Sequence, residues 1–119
     1  MAAPNLITVS SVYGYNTATT IGTAITVLVS NPSTSNSSYK ITTLYVANVD
    51  NSQTAHVSVD FYRNSISIRL IDRMEVAPGN SLIVMTRDSA IYLQEGDSIR
   101  AYSDQNNLIH LNLGFEVSH

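Results

Sequence analysis

The sequence predicts an all-β protein, a single antiparallel β-sandwich of jelly-roll-like type, and three observations predict it. Apolar and polar residues alternate with period two, the pattern that gives a strand one dry face. Seven or eight such segments follow one another at roughly ten-residue spacing, separated by turn chemistry. No window carries a convincing helical period.

At 119 residues the chain suits one domain and is long enough to bury roughly two thirds of its unfolded surface. Residues 1–22 are assigned to an N-terminal arm and first strand, and 23–119 to the sandwich, one domain overall. Within the first part, Met1 to Asn5 reads as a flexible arm and Leu6-Ile7-Thr8-Val9 as a strand candidate. Tyr13-Gly14-Tyr15-Asn16-Thr17 resembles an exposed loop.

Ala24 to Val29 and Lys40 to Ala47 are rich in β-branched and aromatic residues and are bounded by Asn31-Pro32 and Asp50-Asn51, so both read as strands. Their facing is not fixed by the pattern. In His56 to Phe61 the apolar residues Val57, Val59 and Phe61 hold odd positions; Ile66, Ile68 and Leu70 do the same on even positions, and each set predicts a dry face. Three short pieces follow, Ser81 to Met85, Ala90 to Leu93 and Ser98 to Tyr102. They are punctuated by Pro78-Gly79-Asn80, Arg87-Asp88-Ser89 and Glu95-Gly96-Asp97. The longest alternation closes the chain: Ile109, Leu111, Leu113, Phe115 and Val117 point one way, His110, Asn112, Gly114, Glu116 and Ser118 the other.

Composition narrows the function. Charged residues are 13% of the chain against a typical figure of about 25%, and Ser, Thr and Asn fill the difference. Such a surface suits contact with neighbours. The net charge is −3, and the single lysine, Lys40, and five scattered arginines form no basic run, which argues against nucleic acid. With no cysteine there is neither disulfide framework nor thiolate chemistry. No run of about 18 apolar residues is present to span a bilayer, and no signal-peptide pattern opens the sequence.

Candidate chemistry is sparse, and no enzyme is expected. His56, His110 and His119 do not fall at metal-ligand spacing, the glycines are dispersed, and no nucleophile elbow occurs, so no metal or cofactor is expected. Glu95 and Asp97 could work as paired carboxylates only if Glu75 or Asp88 faced them. The plainer reading of Glu95-Gly96-Asp97 is a turn, with glycine at positive φ and the aspartate bonding the backbone. Seven tyrosines remain, a residue that gives large contact area at low entropic cost. Tyr13, Tyr15 and Tyr102 are the interface candidates; the alternatives are tyrosines capping sandwich edges, or stacking platforms for a sugar.

From Lys40 onward the sequence resembles small structural proteins of tailed bacteriophages, particularly marine and cyanobacterial phages. The likeness lies in Lys40 to Asp50 with its Ala-Asn-Val-Asp ending, His56 to Asp60, Val76-Ala77-Pro78-Gly79-Asn80-Ser81-Leu82, Ile91 to Arg100 and the hydrophobic closing strand, in that order. These phrases mark a fold and supply no site. The resemblance implies a virion subunit, made in the host cytoplasm, that decorates the capsid or builds the neck or tail. Its partners would be copies of itself and a major capsid or other virion protein, with an N-terminal arm reaching a neighbour. A receptor- or carbohydrate-binding module of a tail fibre is the alternative.

Overall fold

A computed structural model describes residues 12–86 and 90–118. The strand candidate Leu6 to Val9, the arm before it, the Arg87-Asp88-Ser89 turn and His119 lie outside the described residues.

The strands are β1 (Val12–Ile21), β2 (Thr26–Ser30), β3 (Ser38–Asn48), β4 (Ala55–Arg63), β5 (Ile66–Val76), β6 (Ser81–Met85), β7 (Ile91–Leu93), β8 (Ser98–Ser103) and β9 (Ile109–Ser118). They form two antiparallel sheets, ordered β1-β9-β3-β6 and β2-β8-β4-β5, and β7 also pairs with β3. Both β6 and β7 pair along β3, so they share one interrupted strand position. The result is the eight-position jelly roll, as the alternation and turn spacing predict.

The inner faces meet over a dry core. Ile21, Leu44, Val46, Ile109, Leu111 and Leu113 come from the first sheet, and Leu28, Val57, Val59, Ile99 and Ala101 from the second. The β9 alternation holds over most of its length, with Ile109, Leu111, Leu113 and Val117 buried and His110 and Asn112 exposed, but Ser118, expected to point outward, is buried. Two buried asparagines tie loops to this core. Asn31 donates to the carbonyls of Ser37 and Leu93, and Asn48 to those of Gln53 and Val76. In each case backbone groups that leave a ladder find a partner in a side chain.

Three expectations need correction. Tyr13 to Thr17 is not a loop; it is part of β1, which pairs with β9 over ten consecutive residues. Gly14 and Asn16 obscured the strand, yet Tyr13, Tyr15, Thr17, Thr19 and Ile21 occupy the core-side positions opposite Val117, Phe115, Leu113, Leu111 and Ile109. Ile66 and Ile68 do not lie on a dry face, for both are more than half exposed. They sit at the tip of the β4–β5 hairpin, opposite Arg63 and Phe61, where the hairpin overhangs the core. The second strand begins at Thr26, leaving Ala24 and Ile25 exposed outside it.

Candidate functional site

β3 carries a bulge that decides where the aromatic residues go. Ile41 pairs with Phe115 and Thr43 with Gly114, so Thr42 is the extra residue, and its hydroxyl donates to the Gly114 carbonyl at 3.1 Å. An extra residue inverts the alternation. Beyond it Leu44, Val46 and Asn48 face inward; before it the inward residues are Ile41 and Tyr39. Tyr39 therefore lands on the same side of the sheet as Phe115.

Two cross-strand rows then build an aromatic shelf at one end of the first sheet's inner face. One runs Tyr13, Val117, Tyr39, Leu93; the next runs Tyr15, Phe115, Ile41, Ile91. The Tyr15 and Phe115 rings stack with centroids 5.6 Å apart, and Phe115 and Tyr39 stack at 5.5 Å with planes 11° apart. Leu93 and Ile41 close the inner end of the shelf and are fully buried. At the outer end Tyr13 is 53% and Tyr15 52% exposed. Tyr15, Tyr39, Phe115 and Val117 bound a shallow hollow of about 220 Å³. Tyr15, half-exposed and stacked on Phe115, and Tyr13 in the neighbouring row present aromatic area of the kind that suits protein contact.

Of the three tyrosines picked out from the sequence, Tyr13 and Tyr15 come together on this shelf and Tyr102 does not. Tyr102 lies on the outer face of the other sheet, half-buried, where Arg69 Nη2 donates to its hydroxyl at 3.0 Å and the guanidinium covers the ring at 5.5 Å. Arg69 also forms an ion pair with the buried Asp60. Arg100 stacks on Tyr62 with 3.5 Å between guanidinium carbon and ring centroid, Arg63 lies over Phe61, and Lys40 lies over Tyr92. Most of the described cations are thus occupied with rings of the same chain.

Sequence reasoning missed Phe115 and Tyr39 as members of the shelf. Phe115 was legible as inward-facing, whereas Tyr39 was hidden by the Thr42 bulge.

Among the described residues no reactive centre assembles. A wider depression of about 460 Å³ on the outer face of the first sheet is lined by Thr20, Tyr45, Ala47, Ser81, His110 and Asn112, among others. It brings no acid to its histidine. Asp97 is held by Arg63, and Glu95 Oε2 accepts a hydrogen bond from the Asn36 main chain, while Glu95 Oε1 is buried without a hydrogen-bond partner among the described residues. Among the described residues no three of His, Cys, Asp or Glu gather as metal ligands.

No protein-family model and no curated protein matches the chain. Among solved structures it is similar to a chain from Bacillus endospore appendages, described as a novel family of disulfide-linked pili. Identity is 11%, the match covers 92% of this chain and 86% of that one, and the TM-score is 0.54. A chain from the infectious bursal disease virus Gx strain aligns at 10% identity over 91% of this chain and 32% of that one, with a TM-score of 0.47. The likeness to the appendage chain establishes a shared β-sandwich fold.

Proposed function

We propose that this chain is a structural subunit of a tailed-phage virion, a capsid decoration protein that stabilises the particle by binding the shell protein through its aromatic shelf. The observation that carries the reading is half-exposed Tyr15 stacked on the Phe115–Tyr39 pair, with half-exposed Tyr13 in the neighbouring row. A weakly charged surface and the series of phrases shared with small phage structural proteins from Lys40 onward support it further. Its work is burial: each Å² of apolar surface removed from water contributes about 25 cal/mol, and copies arranged by symmetry multiply modest contacts.

The Bacillus appendages are disulfide-linked pili, whereas this chain has no cysteine. The 119-residue sequence offers no cysteine for such a link. A sugar-binding module would set Asp or Asn beside its stacking tyrosines, and the two rows that form the shelf contain neither.

Cryo-electron microscopy of intact particles, with light scattering on the purified chain, tests the proposal. Density for the subunit on the capsid shell, lost in a Tyr13→Ser/Tyr15→Ser variant that stays folded, is the expected result. Density at the neck or tail would move the subunit there, and density confined to fibre tips would replace the reading with receptor binding.

A further inference from the structure

Among the described residues the two sheets end in edge strands, and these differ in how they discourage pairing. Native edges are blunted by shortness, charge, proline or bulges, because an open edge is a template for another strand. β2 and β6 are five residues each, each with a register shift against its neighbour, and β7 is three residues. β5 is eleven residues long, but it carries Arg69, Asp72 and Arg73, two register shifts against β4, and a left-handed backbone at Arg73 with φ 49°. β1 has none of these devices. It is ten residues long, contains no charged residue and no proline, and pairs with β9 without a shift.

We infer that β1 pairs antiparallel with β1 of a second copy, joining two first sheets into one continuous sheet across a twofold axis. The inference rests on the reading of the chain as an assembling subunit, and names the edge by which copies meet. A second copy's β1 meets this edge without charge conflict. Two copies of Val12–Ile21 place no like charges opposite one another in any register. Pairing β1 with β5 of another copy would instead set Arg69 and Asp72 against tyrosine and threonine. A twofold axis also keeps the same sheet face on the same side in both copies. Where the axis falls at Gly14 or Tyr15 the two aromatic shelves adjoin; farther along β1 they lie at opposite ends of the paired strands.

The absence of native cysteine gives a clean test in the full chain. Gly14→Cys, Tyr15→Cys, Asn16→Cys, Thr17→Cys and Ala18→Cys are oxidised separately, with Ser67→Cys on the β5 edge as control. Only residues next to the axis meet their own copy within disulfide reach. One position, or two adjacent positions, should crosslink at least about tenfold faster than the control. By light scattering the native chain should weigh two protomers, and Ala18→Lys/Thr20→Lys, which adds like charges to both exposed edges, should weigh one. Ile7→Asp should remain a dimer.

A monomeric native chain with no crosslinking position overturns the inference, as does crosslinking at Ser67→Cys equal to that on β1. Dispersal by Ile7→Asp also overturns it, by assigning the edge to the Leu6 to Val9 segment. Binding of the monomer to particles would leave the subunit reading intact in each case, so the two failures are separable.

Discussion

The guanidinium of Arg63 meets the carboxylate of Asp97 in a two-pronged ion pair, with Nε donating to Oδ1 at 2.8 Å and Nη2 to Oδ2 at 2.5 Å. Asp97 is almost fully buried, and its carboxylate also accepts the Gln94 N–H at 2.8 Å, while its carbonyl accepts the Asn31 N–H at 2.9 Å. One aspartate thus fastens the β7–β8 turn to the end of β4 and to the segment leaving β2. The Arg63 side chain packs over Phe61, and hydrogen bonding to Asp97 raises the guanidinium pKa further above its ordinary value.

Arg63→Ala should therefore destabilise the fold by about 2–3 kcal/mol, because it strands a buried carboxylate; partial exposure of Arg63 holds the cost at the low end for a buried pair. Urea unfolding measures this. In an Asp97→Asn background the same change should cost markedly less, and equal costs in the two backgrounds would show that the ion pair contributes nothing.

That pair also marks the limit of what the sequence discloses. Glu95-Gly96-Asp97 was legible as a turn, and Gly96 does take φ 91°. Nothing in the local pattern announces a partner more than thirty positions earlier, since salt bridges between distant segments leave no periodic trace. β9 and β6 were readable to the residue because their alternation or flanking turns are unbroken. β3 was readable as a strand but not in its facing, since the Thr42 bulge inverts the alternation midway. Tyr13 and Tyr15 stood out by chemistry as candidate contact residues; the ring stack beside them depends on that bulge and on pairing across three strands.

Asn48 joins the end of β3 to two other segments, its amide donating to Gln53 O at 2.7 Å and Val76 O at 2.9 Å while Oδ1 accepts the Asp50 N–H at 3.0 Å. Asn48→Ala should cost about 2–3 kcal/mol, since it leaves the buried Val76 carbonyl without this donor and frees the Gln53 carbonyl. Asn48→Asp preserves the shape but turns an oxygen toward both carbonyls, so it should be the more damaging change at neutral pH. Thermal unfolding at pH 7 of the two variants ranks them, and an aspartate variant as stable as the native chain would refute this account of the site.

Gly14 and Gly114 lie on neighbouring strands yet should respond oppositely to a methyl group. A Cβ on Gly114 would sit 2.7 Å from the Thr43 hydroxyl, inside the β3 bulge, whereas one on Gly14 meets nothing within 4 Å. Gly114→Ala should destabilise by about 1–3 kcal/mol through local overpacking. Gly14→Ala should be neutral or stabilising by up to about 1 kcal/mol, because alanine restricts the unfolded chain more than glycine does. Denaturant midpoints measured side by side decide it, and a harmless Gly114→Ala would show that Thr43 moves aside freely.

Asp104 gives the fold an acid-sensitive tie. Partial burial pushes its carboxyl upward, but the opposing hydrogen bonds prevail: the His56 main-chain N–H bonds Oδ1 at 2.8 Å and His56 Nδ1 lies 2.8 Å from Oδ2, holding Asp104 below the ordinary carboxylate value of 3.8. The Ser52 and Gln53 main-chain N–H groups lower Asp50 in the same direction. A carboxylate depressed in the folded state contributes stability that is fully present above its unfolded pKa and is lost as pH falls through the lower folded value. Native chain and Asp104→Asn should therefore differ in stability at pH 7, and the difference should shrink as pH falls below 3.8. Urea midpoints across pH 2.5–7 would follow the convergence, and a gap that stays constant over that range would mean that the variant loses packing and not the charged hydrogen bonds.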